Sequence, residues 1–250
     1  MLSRAQPRDE SALAVSVVAH ELRAPLSSLA AASELLIEDL NTLDRRQMRD
    51  MLQVIRDGTY WLQGLVENLL CAASIQAGRF QIRAEQLNLL NLVMDVQPVV
   101  GPLLLQKGQQ LRMAADADLP LVSADRRWIS MVLVNLLANA SKYSGPDMPI
   151  SVRVARWGEW VRTSVTDRGR GLPAGSSARL FEPFYRGEGA ADSDQGGMGL
   201  GLAIVKSVVE AHGGQVGAKN RPKGGACIWF ALAALESTDA TTRAVGDDRI

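Results

Sequence analysis

The sequence predicts an α+β protein in which an N-terminal helical hairpin is followed by an α/β sandwich. Between residues 10 and 76, apolar residues recur at alternating intervals of four and three positions, a spacing typical of packed helices. From about residue 79 onward, short alternating strand patterns are interleaved with helical segments. We therefore expect two domains, residues 10–76 and 79–233, and a polar, disordered tail at 236–250.

Two long helices are expected in the first domain, separated by the polar stretch 41–44. Asp44 is a candidate N-cap for the second helix, and Pro25 should bend the first. The predicted apolar seam consists of Val15, Ala19, Leu22, Leu26, Leu29, Ser33, Leu36 and Leu40 in the first helix and Met48, Leu52, Ile55, Thr59, Leu62, Val66, Leu69 and Ala73 in the second.

A hairpin of two helices can bury little apolar surface on its own. Two hairpins that pair into a four-helix bundle bury the seams of both, so the pattern predicts a homodimer. In the alternative arrangement, the hairpin packs against the C-terminal domain of its own chain, and no dimer is needed.

The second domain is expected to place helices on one face of a mixed sheet. Helices are predicted at 88–106, from an N-cap at Asp125 through Tyr143, and at 200–211, where Gly213 and Gly214 end the last of them. Gly158 and Glu159 predict a tight hairpin between two strands. The predicted strands are 79–84, 110–114, 121–123, 150–155, 160–166, 215–218 and 226–231.

The composition argues against several classes of protein. Formal net charge is zero, from 27 basic and 27 acidic residues, which disfavours a nucleic-acid-binding surface. No run of about 18 apolar residues and no signal-peptide core is evident, so we expect no membrane span and, by default, a cytoplasmic location. Cys71 and Cys227 lie far apart in the sequence and are expected to be reduced, buried thiols.

His20 follows the seam residue Ala19, so its ring should project from the flank of the bundle into solvent. A neutral, exposed imidazole can act as a nucleophile. An isolated pair such as His20–Glu21 would more often be ordinary solvated surface, and the same caution applies to each motif below. The other histidine, His212, precedes two glycines at a helix end and is interpreted as structural, because donors there bind the last carbonyls.

Three further motifs follow His20 along the chain. Asn135 and Asn139 lie four residues apart on one helix face, with Lys142 nearly in line, and such groups suit Mg²⁺ and phosphates or, alternatively, a buried amide network. Asp167 ends a strand and opens a turn through Gly169 and Gly171, where a carboxylate could accept a hydrogen bond from an exocyclic amine; alone, such a motif is usually a surface turn.

A glycine-rich segment is the last motif. Gly197, Gly199 and Gly201 run directly into a helix, where backbone N–H groups favour phosphates. The spacing matches neither a dinucleotide-binding fingerprint nor a P-loop.

The joint order of these blocks resembles a sensor histidine kinase, and the resemblance covers residues 10–233. It implies that His20 is the phosphoacceptor, that Glu21 orients its ring and acts as base, and that the second domain binds ATP with Mg²⁺ held by Asn139. It further implies nucleotide contacts for Asn135, Lys142, Tyr143, Asp167 (with adenine N6), Gly169, Gly171, Gly197, Gly199 and Gly201, and a γ-phosphate contact for Arg186, in a flexible lid that follows Phe181 and Phe184.

The resemblance also implies a reaction sequence and partners. The phosphoryl group would pass from His20 to an aspartate of a separate response regulator, and input would come from a sensor outside residues 1–9 or from an upstream protein. Two positions depart from the family pattern: Arg168 replaces the usual Asn, and Ala24 replaces the Thr or Asn implicated in dephosphorylating the regulator, which predicts weak phosphatase activity. The rival interpretations are a degenerate binding module and another ATPase of the same superfold.

Overall fold

The computed structural model describes residues 7–40, 42–173, 175, 177, 179–183, 185 and 199–235. The predicted tail at 236–250 and the side chains of several residues in the first two helices, including His20, Glu21 and Ala24, lie outside this description. The chain divides into two compact units, Met1–Phe80 with Glu182–Gly201 and Gln81–Phe181 with Leu202–Ile250. The domain boundaries predicted from the sequence, 10–76 and 79–233, remain predictions.

The first unit contains a hairpin of two long helices, α1 (Pro7–Glu38) and α2 (Arg45–Gln76). Asp44 caps α2, because its Oδ1 accepts hydrogen bonds from the backbone N–H groups of Arg46 and Gln47 at 2.7 and 2.8 Å. Gln47 Oε1 in turn accepts from the Asp44 N–H at 2.9 Å, which completes a capping box. The predicted break and cap are confirmed, whereas the bend at Pro25, which lies inside α1, stays a prediction.

The two helices approach closely where α2 has a glycine. A Cβ atom built on Gly58 would lie 3.0 Å from Leu29 Cγ, so the absence of a side chain at Gly58 lets the α1 leucine approach the α2 backbone. Other members of the predicted seam remain open to solvent: Leu26, Leu52 and Val66 are 51%, 58% and 48% exposed. The single chain therefore leaves much of its apolar seam uncovered.

The second unit is an α/β sandwich with a five-stranded sheet. Its elements are β1 (Glu85–Leu87), α3 (Leu89–Gln106), β2 (Leu111–Ala115), β3 (Val122–Ala124), α4 (Arg126–Tyr143), β4 (Ile150–Trp157), β5 (Trp160–Thr166), a 3-10 turn (Arg179–Phe181), α5 (Gly201–Ala211), β6 (Gln215–Asn220) and β7 (Ala226–Ala233). The sheet order is β2-β4-β5-β7-β6, and β1 pairs separately with β3. Only β2 and β4 run parallel in the sheet, so the predicted mixed sheet is confirmed.

Alternating burial along the central strands shows where the core lies. Side chains on one face of β4 and β5 are buried, and the intervening ones are more accessible, as expected for a sheet covered by helices on one side. The buried set comprises Ile150, Val152, Val154, Val161, Thr163 and Val165. Cys71 and Cys227 are both buried and are not joined in a disulfide, as predicted.

The helix α3 bears on the expectation that no segment spans a membrane, which stays a prediction. Its 18 residues have a mean hydropathy of 1.3, so by length and composition alone it is a candidate span. The hydropathy is explained in part by packing, because one stripe of α3 is buried in the second unit. That stripe consists of Leu89, Leu92, Val93, Val96, Val100 and Leu104.

The strand predicted at 79–84 is wrong, since strand β1 lies at Glu85–Leu87 instead. The backbone of this stretch is held by side chains rather than by a neighbouring strand. The Arg83 N–H donates to Asp125 Oδ2 at 2.8 Å, and the Gln81 carbonyl accepts from Trp128 Nε1 at 3.3 Å. The other predicted strands and helices are confirmed, with ends shifted by at most three residues.

Candidate functional site

The polar face of α4 is formed by Asn135 and Asn139, both of which are half-buried. Asn135 Nδ2 donates to the Met131 carbonyl of its own helix at 3.0 Å. Within the described part of the chain, the Asn139 side chain makes no hydrogen bond, so Asn139 does not take part in the buried amide network that was the alternative interpretation. The amide of Asn139 is thus available to a ligand.

Asn139 is compatible with Mg²⁺ binding. Among the described residues there is no cluster of three or more His, Cys, Asp or Glu side chains that could hold a metal by itself. Mg²⁺ bound together with a nucleotide needs only one or two protein oxygens, because phosphates and water supply the remaining ligands. An unpaired amide oxygen on α4 fits that requirement.

At the C-terminus of α4, the Tyr143 ring lies close to two cations. Lys142 Nζ lies 5.3 Å and Arg170 Cζ 5.5 Å from the ring centroid, within the range of cation–π attraction. Arg170 belongs to the Asp167 turn, so this contact links α4 to that turn. The sequence did not single out Arg170, although it stands between the two predicted site glycines, Gly169 and Gly171.

Asp167 follows β5 and is 6% exposed. Its Oδ1 accepts hydrogen bonds from the backbone N–H groups of Gly169 at 2.8 Å and Ala226 at 3.0 Å. Its own N–H donates to the Ala226 carbonyl at 3.0 Å. No described residue donates a hydrogen bond to Oδ2, so one carboxylate oxygen is committed to the backbone and the other remains free to accept.

Glycines allow the turn after Asp167 to pack tightly. A Cβ on Gly169 would overlap the Tyr143 carbonyl oxygen, so a side chain at this position would push the turn away from α4. Gly171 has φ +82°, a conformation that residues with a side chain rarely adopt. The Arg168 N–H donates to Ser144 Oγ at 3.3 Å, which adds a second link between the turn and the end of α4.

The far side of the turn is held by two residues that the sequence did not reveal. Asn220 accepts from the Leu172 N–H at 2.6 Å and donates to the Leu172 carbonyl at 2.9 Å. Arg221 Nη1 donates to the Asp167 carbonyl at 2.8 Å. Both belong to the β6–β7 hairpin, distant in sequence from the motif, so no local pattern pointed to them.

The remaining predicted site residues are placed only in part. The backbones of His20 and Glu21 belong to α1, and Arg186 and Gly197 lie outside the described residues. Gly199 has φ +68° and Gly201 begins α5. The structure thus brings Tyr143, Asp167, Gly169 and Gly171 together, places Asn135, Asn139 and Lys142 on the adjoining helix, and describes the rest at the level of the backbone.

His212 has the structural role expected from the sequence. Its Nδ1 lies 2.7 Å from the Val208 carbonyl, and its Nε2 accepts from the Asp125 N–H at 3.1 Å. Because the carbonyl can only accept, Nδ1 carries the proton and the ring is neutral. His212 therefore joins the end of α5 to the start of α4.

The pKa of Arg126, the first residue of α4, is clearly displaced from its ordinary value. Hydrogen bonds to Asp95 at 2.7 Å and to Glu85 at 3.2 Å raise the pKa of Arg126, because both carboxylates favour the charged guanidinium. All three side chains are solvent-exposed, so these two ion pairs contribute little to stability.

Comparisons with known families match both halves of the chain. Residues 11–78 match the His Kinase A (phospho-acceptor) domain, and residues 124–236 match the histidine kinase-, DNA gyrase B- and HSP90-like ATPase family. The Sensor protein KdpD of Escherichia coli (strain K12) is 36% identical over 221 residues, which cover 87% of this chain and 24% of that protein. The chain spans about a quarter of the length of the KdpD relatives that it matches.

Solved structures share the same fold. Full-length ShkA in complex with AMPPNP is 26% identical with a TM-score of 0.62, over 93% of this chain and 47% of ShkA. ThkA in complex with the response regulator protein TrrA matches 88% of this chain and 61% of ThkA with a TM-score of 0.59; at 23% identity, this match shows the fold alone. The two family matches stand in the order of a phosphoacceptor hairpin and an ATPase domain, so the chain belongs to the sensor histidine kinases of two-component systems.

Proposed function

We propose that this chain is the kinase core of a two-component system, which uses ATP to phosphorylate His20. The observation that carries the proposal is the arrangement of Asp167, a buried carboxylate with one oxygen fixed by two backbone N–H groups and the other free to accept. A rigid acceptor of this kind suits the exocyclic amine of adenine. The free amide of Asn139 on the adjoining helix supports a place for Mg²⁺ and phosphates.

The proposed reaction is an in-line phosphoryl transfer. One imidazole nitrogen of His20 attacks the γ-phosphorus, a P–N bond forms, the P–O bond to ADP breaks, and Glu21 accepts the ring proton. Mg²⁺ would neutralise charge on the phosphates, with Asn139 as its protein ligand. Lys142, Asn135 and Arg186 would contribute further phosphate contacts, and the Gly197, Gly199 and Gly201 segment would supply backbone N–H groups at the start of α5.

The proposed partners follow from the family. ThkA binds the response regulator protein TrrA, and we propose that an aspartate of a comparable regulator receives the phosphoryl group from His20 here. Apolar residues that remain exposed on the hairpin support a homodimer. The kinase core is proposed to act in the cytoplasm, where ATP and the regulator are available.

The proposal is tested by incubating the purified chain with γ-labelled ATP and Mg²⁺. We expect acid-labile, alkali-stable label to accumulate on the wild-type chain and on His212→Gln, since glutamine can still donate to Val208 and accept from Asp125. His20→Ala should take up no label and should bind ATP as tightly as the wild type. Because the sequence contains only two histidines, this pair of variants assigns the acceptor without ambiguity.

Two results would contradict the proposal. Label on His20→Ala that is absent from His212→Gln would move the acceptor to the second histidine. A wild-type chain that binds ATP without incorporating label would favour a binding module, and one that releases inorganic phosphate without labelling itself would favour an ATPase of another kind.

A further inference from the structure

We infer that Gln109 is a positioning residue for the nucleotide site, acting through the C-terminus of α4. This inference rests on the proposed function, since it assigns a role in binding ATP. Gln109 lies in the turn between α3 and β2 and is 3% exposed. No motif in the sequence singled it out.

The Gln109 side chain binds the end of α4 on several sides. Its Nε2 approaches three carbonyl oxygens, those of Ser141 at 3.2 Å, Ser144 at 3.4 Å and Gly145 at 3.0 Å. Its Oε1 accepts from Ser141 Oγ at 2.7 Å. Carbonyl oxygens cannot donate, so the Gln109 amide is fixed in one orientation. The side chain therefore binds both a donor and acceptors at the C-terminal end of α4.

These hydrogen bonds satisfy groups that a helix cannot satisfy by itself. The last carbonyls of a helix have no partner within the helix, and burial without a partner is costly. Lys107 assists by donating from Nζ to the carbonyls of Ser141 at 3.0 Å and Lys142 at 3.4 Å, where a cation is also favoured by the helix dipole. The turn that carries Lys107 and Gln109 thus holds α4 where the helix ends.

The segment that Gln109 holds is the one that contacts the Asp167 turn. Tyr143 packs its carbonyl against Gly169, and Ser144 Oγ accepts from the Arg168 N–H at 3.3 Å. Both contacts fix the turn that presents the free oxygen of Asp167. Displacement of Tyr143 or Ser144 would therefore move the acceptor proposed for adenine, although Gln109 itself contributes no atom to this surface.

The test compares Gln109→Met with Val161→Ala in the full chain. Methionine keeps the length of the side chain and removes its donors and acceptor. Val161 is fully buried at the opposite end of β5 from Asp167, so its truncation destabilises the same unit without touching the end of α4. Thermal midpoint, Kd for ATP, and KM and kcat of autophosphorylation are measured for both variants and the wild type.

We expect Gln109→Met to raise both Kd and KM for ATP about tenfold, the change expected when one or two buried hydrogen bonds that hold the site are lost. Its kcat at saturating ATP should stay within about twofold of wild type, because the bound state restores the geometry. Amide hydrogen exchange should accelerate at residues 142–145 and 169. Val161→Ala should lower the thermal midpoint and leave Kd and KM unchanged.

If the role of Gln109 were purely structural, Gln109→Met would lower the folded fraction and hence the apparent kcat, and KM for ATP would stay unchanged. That result would overturn the inference. If Gln109→Met fails to fold, Ser141→Ala serves as a second variant, because it removes one hydrogen bond of the network. We expect Ser141→Ala to raise the Kd for ATP about threefold. An unchanged Kd for ATP in this variant would also overturn the inference. Failure of the wild-type chain to bind ATP overturns the proposed function itself, and the inference with it.

Discussion

Asp167 uses its two carboxylate oxygens for different tasks. Oδ1 accepts from the N–H groups of Gly169 and Ala226 and so fixes the side chain, while Oδ2 has no donor among the described residues. A side chain that is buried and held on one oxygen loses little further freedom when the other oxygen binds a ligand. The residue therefore combines a structural role in the turn with an acceptor that is ready for an amine.

Asp167→Asn separates these two roles. The amide oxygen can still accept from Gly169 and Ala226, but an NH₂ group replaces Oδ2 and would face the adenine amine, donor against donor. We expect ATP affinity to fall at least about tenfold, as for a buried polar group left without its partner, while the thermal midpoint changes little. GTP presents a carbonyl at the equivalent position, so the preference for ATP over GTP should narrow. Competition binding of ATP and GTP measures this preference. An unchanged ratio of the two affinities would mean that Asp167 does not contact the base.

The helix α4 is fixed at both ends by side chains from other elements. At its start, Asp125 Oδ1 accepts from the N–H groups of Arg127 and Trp128, and the Asp125 N–H donates to His212. At its end, Lys107 and Gln109 bind the last carbonyls. The residues proposed to bind phosphates and Mg²⁺ therefore lie on a helix that is held in place at both ends.

Asp125→Ala tests the contribution of the first of these anchors. The variant loses the N-cap hydrogen bonds and the hydrogen bond from the Arg83 N–H, so we expect a loss of about 2 kcal/mol in the free energy of unfolding. Asp125→Asn keeps the capping oxygen but places an NH₂ group opposite the Arg83 N–H, so it should recover only the part of the stability that the cap contributes. Urea unfolding followed by tryptophan fluorescence is suitable, because Trp128 lies beside the cap. Equal stability of both variants would show that the cap contributes nothing.

Features of the elements that depend on neighbours in sequence were predictable. The caps at Asp44 and Asp125 are local, and both were expected from the residue type and the apolar run that follows. The strand predicted at 79–84 was wrong because its backbone bonds to Asp125 and Trp128, which lie far along the chain. Local alternation could not reveal that side chains would take the place of a partner strand.

The same distinction applies to the site. Asp167, Gly169 and Gly171 form a contiguous motif, so spacing alone made them candidates. Gln109, Asn220 and Arg221 come from other elements, and only the folded chain shows that they hold α4 and the turn. Their residue types are common on protein surfaces, so no pattern in one sequence distinguishes them.

At the scale of the whole molecule, the hairpin carries apolar side chains that the single chain does not cover. Ala32, Leu65 and Cys71 are buried, yet none of them belongs to the predicted seam. A helix can bury one stripe and expose another. Among the described residues, the exposed seam members are Leu26, Leu40, Leu52 and Val66, and further exposed apolar side chains lie beside the seam. An exposed apolar row on a helical hairpin is what pairing with a second hairpin would bury.

Charges placed on exposed seam residues should separate the dimer without unfolding the hairpin. Leu52 and Val66 are 58% and 48% exposed in the single chain, so glutamate at both positions costs little there. In a homodimer interface, two unpaired carboxylates from each subunit would cost several kcal/mol. We expect the wild type to sediment as a dimer at micromolar concentration and the double variant as a monomer with unchanged helix content by circular dichroism. Ile37→Glu is the matched control, because Ile37 is 78% exposed but lies off the seam, and it should remain dimeric. A double variant that stays dimeric would mean that another surface joins the subunits. A wild type that sediments as a monomer would contradict the predicted homodimer itself.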